Sequence, residues 1–321
     1  MIFAKTKSKT RVLGLALGSG GARGLAHIGV LRALREADLE PDVIAGASAG
    51  AIVAAAYASG RLNALGEIAE TLDWRLVAGL FIEFGIPRDG LVKGVRVMRF
   101  LRDIIPAENF NALRIPTAVV AADIDAEAEA VFTSGPLHHA LRASIAIPGV
   151  FTPVPHNGRL LADGGLVNPV PVSAARALGA THVIAVDINT RRGSFPPVEK
   201  PVEPGGVEAL LTPERLGALD RFIPATRMKN ALENWRAQRR AATPAPRPAN
   251  LFAVLTRSFR LYENTITRVL LGHSPPDLLV APAVGHVPTL DFTLARACMD
   301  EGRDAMFKAL DGGGSIPPPS G

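Results

Sequence analysis

The pentapeptide Gly46-Ala47-Ser48-Ala49-Gly50 constrains the fold of this chain more than any other stretch. The apolar run 43–45 before it predicts a short buried strand, and the small-residue run 51–56 after it predicts a helix. A strand that turns abruptly into a helix needs glycine on both sides of the turn, because a Cβ would clash there. The spacing G-x-S-x-G at this place predicts a nucleophile elbow that exposes the Ser48 hydroxyl. A helix cap is the alternative role for Ser48.

Strand and helix patterns alternate along much of the chain. Period and residue type predict strands at 12–17, 43–47, 115–122, 130–133, 181–189 and 276–282, and helices at 25–34, 49–59, 63–72, 138–143, 170–178, 251–271 and 290–310. The predicted class is α/β, with a central, mostly parallel sheet covered by helices on both faces as three α/β/α layers. In the helix at 251–271, the apolar residues on one face are Phe252, Leu255, Phe259, Tyr262, Ile266 and Val269.

A second glycine-rich turn, Gly18-Ser-Gly-Gly-Ala-Arg-Gly24, follows the first predicted strand. A dinucleotide-binding G-x-G-x-x-G starting at Gly18 would need glycine where Arg23 stands, and no Gly-Lys-Ser/Thr ending is present for a nucleoside triphosphate loop. The remaining interpretation is a run of small residues whose amides converge on an anion, as an oxyanion hole requires. Gly20 and Gly21 are the preferred donors, with Ala22 beside them.

An acid at the end of an apolar segment completes the set: Leu160-Leu-Ala-Asp163-Gly164-Gly165. Asp-Gly is also an ordinary turn pair. The catalytic alternative is that Asp163 accepts the proton of Ser48, because a serine hydroxyl is inert at neutral pH without a base. A Ser-His-Asp triad stays open, with candidates His182, His273 and His286, although none of these carries a local signature; His27 lies inside the first helix and is expected to be packed.

Composition sets the remaining expectations. The 321 residues carry a net charge of only +5, and 48% are hydrophobic, which is enough for a sizeable core. The single Cys298 and the lack of ligand-spaced Cys or His groups indicate a reducing compartment, no metal and no cofactor.

The basic stretch before residue 12 imitates a secretory signal poorly, so 12–17 is predicted to be an internal strand. No apolar run reaches the ~20 residues of a membrane-spanning helix. The expected location is the cytoplasm.

One segment differs in character from the rest. Residues 191–250 hold two Pro-rich patches and are expected to form a basic insertion or lobe, within a single hydrolase domain whose core covers about 11–190 and 251–311; 312–321 is expected to be a flexible tail. Nine Lys or Arg and one acid, Glu233, lie between Arg221 and Arg260. This cluster suggests peripheral contact with an anionic membrane; a solvated flap or a protein-partner site is the alternative. Nucleic acid is not expected, and the oligomeric state is left open.

Taken in order, the glycine turn at 18–24, the serine pentapeptide at 46–50 and Ala162-Asp-Gly-Gly165 resemble the motifs of patatin-like phospholipases, especially the bacterial branch related to neuropathy target esterase. The segment 142–154 is similar too. The resemblance spans about 12–190, and one departure is Ser19, where many relatives have glycine. It implies a Ser48-Asp163 dyad without histidine and an oxyanion hole near Gly20 and Gly21. Residues implied to support the site are Arg23, Gly46, Gly50, Gly164 and Gly165.

The activity implied by the resemblance is hydrolysis of lipid carboxylic esters, of the phospholipase or lysophospholipase type, through an acyl-enzyme. A regulatory or scaffold protein that keeps the fold and acts through its basic lobe is the alternative. The intact serine, acid and glycine turns favour the enzyme, because a protein without catalysis has no physical need for all of them.

Overall fold

The computed structural model describes residues 11–81, 92–189 and 251–312. Apart from 251–253, these residues belong to one compact unit, formed by Met1–Arg192 with Val254–Gly321. The second unit, Gly193–Ala253, lies outside the described residues except for its last three. The basic, Pro-rich lobe predicted at 191–250 and nearly all of the tail predicted at 312–321 therefore lie outside the described residues.

Each strand and helix predicted from the sequence is present, together with others that the sequence does not indicate. The strands are β1 Leu13–Leu17, β2 Val43–Ala47, β3 Thr117–Asp123, β4 Ala128–Phe132, β5 Val154–His156, β6 Arg159–Asp163, β7 His182–Val186 and β8 Leu278–Val280. The helices are α1 Ala26–Glu36, α2 Ala49–Ala58, α3 Leu62–Thr71, α4 Trp74–Phe81, α5 Val95–Ile104, α6 Leu137–Ser144, α7 Val172–Ala177, α8 Leu251–His273 and α9 Ala295–Asp311. None of the helices in the described ranges is both long enough and apolar enough to cross a membrane.

One sheet contains all of these strands, in the order β5-β6-β3-β2-β1-β7-β8, with β4 paired to β3. The centre is parallel: β1 pairs with β2 and β7, β2 pairs with β3, and β7 pairs with β8. The pairs of β3 with β4, of β3 with β6, and of β5 with β6 are antiparallel. The prediction of a mostly parallel sheet between helical layers is confirmed.

The two faces of the sheet are packed differently. On β1, Leu15 and Leu17 point into a large core with α1, α2, α3, α5 and α9, while Ala16 points into a smaller core with α7. Successive side chains of a strand face opposite sides, so a strand buried on both sides is a continuous apolar run. The segment 12–17 is thus an internal strand at the middle of the sheet, as predicted.

The pairing around β3 decides where two remote segments meet. Strand β4 lies along one edge of β3, from Val119 to Asp123, so β2 and β6 must share the other edge. Along this edge Val120 pairs with Ala47 of β2, and the next residue, Ala121, pairs with Asp163 of β6. The ends of β2 and β6 are therefore neighbours, and the residue after Ala47 is Ser48.

Helix α8 packs in a way that its apolar pattern does not indicate. Leu255, Tyr262 and Val269, from the apolar face, are 48%, 46% and 48% exposed, while the buried side chains are the polar Glu263 and Thr267, each 3% exposed. A half-exposed apolar face with two polar groups buried opposite is unusual, because burial of a polar group is costly without a partner. The body of the protein must offer such a partner, and for Glu263 it does.

Candidate active site

Ser48 occupies a sharp turn between β2 and α2. Its backbone has φ 53° and ψ −121°, a conformation that residues with a Cβ rarely adopt. The turn is held by Ser144, whose hydroxyl accepts from the Ser48 amide at 2.8 Å and donates to the Val120 carbonyl at 2.6 Å. This strained, buttressed turn at the carboxyl end of a parallel strand is the geometry expected of a nucleophile elbow.

The two glycines of the pentapeptide allow strand and helix to approach closely. A Cβ on Gly46 would lie 2.5 Å from the carbonyl of Gly50, and a Cβ on Gly50 would collide with the carbonyl oxygen of Leu17. Real Cβ atoms do not approach backbone at such distances. Gly46 and Gly50 are therefore required by the backbone at this turn, which gives them a supporting role.

Asp163 ends β6 and faces Ser48. Its Oδ2 accepts a hydrogen bond from Ser48 Oγ at 2.6 Å, and its Oδ1 accepts from the Gly165 amide at 2.8 Å. Ser48 is 3% exposed and Asp163 is fully buried. Burial raises the pKa of Asp163 to about 7, because the loss of hydration outweighs the two hydrogen bonds, which favour the charged form. A carboxylate with this pKa is a better base at neutral pH than an ordinary aspartate.

Gly164 and Gly165 follow this acid in a short 3-10 helix, Gly164–Leu166. A Cβ on Gly164 would collide with the carbonyl oxygen of Val120, so only glycine lets this loop lie against β3. Gly165 contributes the amide that binds Asp163 Oδ1. Both glycines thus hold the acid at the end of β6.

The glycine loop at 18–22 lies beside the serine turn. The amides of Gly18 and Ser19 donate to the carbonyls of Val186 and Pro169, at 3.1 and 2.8 Å. The Ala22 amide donates to the Thr289 carbonyl at 2.7 Å, so it is already occupied. Within the described residues, the amides of Gly20 and Gly21 have no hydrogen-bond acceptor. Of the three sequence candidates for an oxyanion hole, Gly20 and Gly21 have amides available to a ligand.

Arg23 anchors the same loop through its side chain. Its side chain is 1% exposed, and Nε donates to Asn189 Oδ1 at 3.1 Å while a terminal nitrogen donates to the Val287 carbonyl at 3.0 Å. Asn189 in turn donates to the Ser19 carbonyl at 3.0 Å. Arg23 therefore braces the loop that carries Gly20 and Gly21.

Histidine is not part of this arrangement. Within the described residues, no histidine forms a hydrogen bond with Ser48 or Asp163. His27 is packed, as expected: its Nε2 contacts the Gly18 carbonyl at 2.8 Å, and burial lowers its pKa to about 4. The triad candidates His273 and His286 instead contact the carbonyls of their own segments.

Two buried side chains of the site were not identified from the sequence. Ser144 lies in the segment 142–154, whose similarity to the family gave the only signal. Glu263 lies on α8 and is bonded to Ser19 Oγ at 2.5 Å. Nothing local marks Glu263, because one acid in an amphipathic helix normally faces solvent.

An apolar cavity of about 120 Å³ opens beside the serine turn. Gly21 and Ala49 line it at the site, and apolar side chains of α2, α3, α4 and α5 form most of the remaining wall, including Ile52, Ile68, Leu72, Val77 and Phe100. No polar side chain is among these lining residues. Among the described residues, no group of three or more His, Cys, Asp or Glu could hold a metal ion.

Comparison with known proteins identifies the family of this chain. Residues 15–176 match the family described as patatin-like phospholipase. An uncharacterized NTE family protein of Mycobacterium tuberculosis H37Rv is 33% identical over 335 residues, which covers 92% of this chain and 91% of that protein. Neuropathy target esterase sws of Drosophila melanogaster is 33% identical over 185 residues, 56% of this chain and 13% of its own length. Patatin-like phospholipase domain-containing protein 7 of Rattus norvegicus is 34% identical over 184 residues, 56% of this chain and 14% of its own. On the family match and the nearly full-length mycobacterial relative, this chain belongs to the patatin-like phospholipase family.

Proposed function

We propose that this protein is a serine acyl hydrolase that cleaves carboxylic esters of lipids, with Ser48 as nucleophile and Asp163 as its base. The observation that carries the proposal is the 2.6 Å hydrogen bond from Ser48 Oγ to Asp163 Oδ2, at a strained turn beside two available amides. Family membership and the names of the relatives, a phospholipase and an esterase, support the lipid ester as substrate.

In the first half-reaction Asp163 Oδ2 takes the Ser48 proton while Ser48 Oγ bonds to the ester carbonyl carbon. The negative charge that develops on the carbonyl oxygen is stabilised by the amides of Gly20 and Gly21. As the tetrahedral intermediate collapses, the carbon–oxygen bond to the alcohol breaks, and the alcohol leaves with the proton held by Asp163. Ser48 is left acylated.

In the second half-reaction Asp163 takes a proton from water, and the hydroxide oxygen bonds to the acyl carbon. The intermediate collapses with expulsion of Ser48 Oγ, which recovers its proton from Asp163, and a fatty acid is released. The same carboxylate therefore serves as base and then as acid in each half. A pKa of about 7 suits both roles at neutral pH.

The apolar cavity is proposed to hold the acyl chain. The cavity begins at Gly21 and Ala49, beside the proposed oxyanion site. The described residues that line it have no polar side chain that would favour binding of a sugar or a peptide. An acyl chain placed there would present its carbonyl carbon to Ser48. This supports a phospholipase A or lysophospholipase type of substrate.

Peripheral contact with an anionic membrane is the further part of this proposal, since lipid substrates are held in bilayers. On α8 the exposed apolar side chains are Val254, Leu255, Leu261, Tyr262 and Val269. Arg257 and Arg268 are exposed on the same helix. An apolar face with arginines beside it suits the surface of an anionic bilayer. We place the protein in the cytoplasm, at the inner membrane face. Sedimentation with neutral and with anionic vesicles tests this, and equal, negligible binding to both would contradict it.

A regulatory or scaffold role is the alternative. A hydrolysis panel over phospholipids, lysophospholipids, acylglycerols and short esters, run with wild type and Ser48→Ala side by side, tests the proposed function. Hydrolysis that is lost in Ser48→Ala supports the enzyme. Wild-type protein that hydrolyses none of the four classes would favour the scaffold.

A further inference from the structure

Glu263 is a buried acid that the proposed reaction does not use. It lies on α8, is 3% exposed, and accepts a hydrogen bond of 2.5 Å from the hydroxyl of Ser19, a residue 244 positions away in the sequence. Carboxylic acids are almost never buried without a specific partner, since the loss of hydration is costly. The neighbouring Tyr262 donates to the Leu166 carbonyl at 2.8 Å, which joins α8 to the loop after Asp163.

The carboxyl group of Glu263 lies close to the proposed base. A Cβ atom added to Gly165 would lie 2.5 Å from Glu263 Oε1 and 3.0 Å from both Asp163 Oδ1 and Ser19 Oγ. The three side chains therefore surround the same backbone position. A Cβ at Gly165 would displace the Glu263 carboxyl group, so glycine leaves room for the two acids and Ser19 to converge.

Ser19 is in turn the fixed end of the proposed oxyanion loop. Its amide donates to the Pro169 carbonyl, and its carbonyl accepts from Asn189 Nδ2. The hydroxyl of Ser19 is bonded to Glu263. The next two residues are Gly20 and Gly21, which have no side chain of their own to hold them. Two side-chain contacts therefore hold this end of the loop: Glu263 binds the Ser19 hydroxyl, and Asn189 binds the carbonyl of the peptide group that carries the Gly20 amide.

We propose that Glu263 is a positioning residue for ester hydrolysis, which holds the Ser19 hydroxyl and so fixes the Gly20 and Gly21 amides opposite Ser48. The proposal rests on the proposed function. It makes α8 part of the catalytic arrangement, although α8 supplies no group that contacts the substrate. Small displacements of such donors are costly to the rate, because the oxyanion must be met at hydrogen-bond distance.

The ionisation of Glu263 should also affect the rate of hydrolysis. The pKa of Glu263 is raised to about 8, because burial, together with the charges of Asp163 and Asp187, outweighs the Ser19 hydrogen bond and Arg23, which lower it. The raised pKa favours the neutral form of Glu263, which adds no charge beside Asp163. Once Glu263 itself ionises, a second negative charge lies beside the place where the oxyanion forms, and hydrolysis should slow.

The experiment compares Glu263→Ala, Ser19→Ala, the double variant and Glu263→Gln on a soluble short-chain ester, with Ser48→Ala as the blank. We expect Glu263→Ala and Ser19→Ala each to lower kcat roughly tenfold to 100-fold, with KM within about twofold. The double variant should lose no more than either single variant, because both remove the same contact. Glu263→Gln should recover most of the activity, since its amide oxygen still accepts from Ser19.

A matched control separates positioning from packing. Thr267 is one turn further along α8, is equally buried, and its hydroxyl has no hydrogen-bond partner within the described residues. Thr267→Val should leave kcat within about twofold of wild type. Urea unfolding of every variant shows whether a loss of kcat merely follows a loss of stability.

The pH profile tests the effect of charge. Wild-type kcat/KM should decrease above about pH 8, whereas Glu263→Gln should keep its activity in that range. The proposal is overturned if Glu263→Ala keeps the wild-type kcat or if the losses multiply in the double variant. It is also overturned if Glu263→Gln recovers no activity or if Thr267→Val loses as much kcat as Glu263→Ala. A wild type that is no more active than Ser48→Ala would contradict the proposed function instead, so the two failures are distinguishable.

Discussion

Ser48 and Asp163 are 115 positions apart in the sequence, yet the hydroxyl of one donates to the carboxylate of the other over 2.6 Å. The contact follows from strand pairing: Ala47 and Asp163 pair with consecutive residues, Val120 and Ala121, along one edge of β3. The register of three strands thus sets the position of both groups. The sharp turn at Ser48 then points its hydroxyl to the end of β6.

The activity should depend on pH through Asp163. Its pKa is raised to about 7, and only the ionised form can accept the Ser48 proton. Below that pH we expect kcat/KM for a short-chain ester to fall roughly tenfold per pH unit. Steady-state kinetics between about pH 5 and pH 9 measure this. Activity that stays constant down to about pH 5 would argue against Asp163 as the base.

The same pKa shift predicts that stability depends on pH in the opposite direction to activity. Because the pKa of Asp163 is higher in the folded protein than in the unfolded chain, the folded protein binds this proton more tightly. The stability that the protonated acid gives is present at low pH and is lost as the pH rises through about 7. We expect Asp163→Asn to be more stable than wild type, by urea unfolding, at about pH 8 and to lose that advantage at low pH. An advantage that is independent of pH would contradict the shift.

Removal of the Ser144 hydroxyl should loosen the serine turn. Ser144→Ala takes away the acceptor of the Ser48 amide and the donor to the Val120 carbonyl, both buried. We expect a loss of about 1–3 kcal/mol in the free energy of unfolding and a lower kcat. Ser59→Ala is the control, since the Ser59 hydroxyl donates only to carbonyls of its own helix, at Ala55 and Ala56. Equal losses in the two variants would show that Ser144 has no special role.

The cavity should determine which acyl chains are accepted. Val77 on α4 lines the cavity, while the residue before it, Leu76, is 55% exposed. Val77→Trp should therefore lower kcat/KM for a long-chain ester by roughly tenfold or more relative to a short-chain ester, whereas Leu76→Trp should leave that ratio unchanged. Competition between esters of two chain lengths gives the ratio directly. If neither variant changes it, the acyl chain binds elsewhere.

The predicted strands and helices follow from local patterns. The serine turn and the glycine loop are identified because each combines distinctive residues with the end of a predicted strand, and Asp163 is identified because it ends an apolar segment and precedes two glycines. The helices α4 and α5 and the strands β5 and β6 are not predicted from the sequence. In α4, Val77, Leu80 and Phe81 line the cavity, and none of the apolar side chains of this helix is buried in a core.

The contacts that hold the candidate site together are tertiary and leave little local trace. Ser144 is an ordinary serine near the end of α6, and its role depends on β3 and the Ser48 turn being beside it. The occupied amide of Ala22 depends on Thr289, far along the chain. For α8, the apolar period correctly indicated a helix, but it did not indicate that Glu263 and Thr267 would be the buried positions.

The central claim is that Ser48 is a nucleophile activated by Asp163. The most direct measurement is labelling of wild type, Ser48→Ala and Asp163→Asn with a fluorophosphonate at neutral pH, with the modified residue located by mass spectrometry. We predict one adduct, on Ser48, in wild type, no adduct in Ser48→Ala, and labelling at least about 100-fold slower in Asp163→Asn. An unlabelled wild type, an adduct on another serine, or labelling of Asp163→Asn at the wild-type rate would contradict the claim.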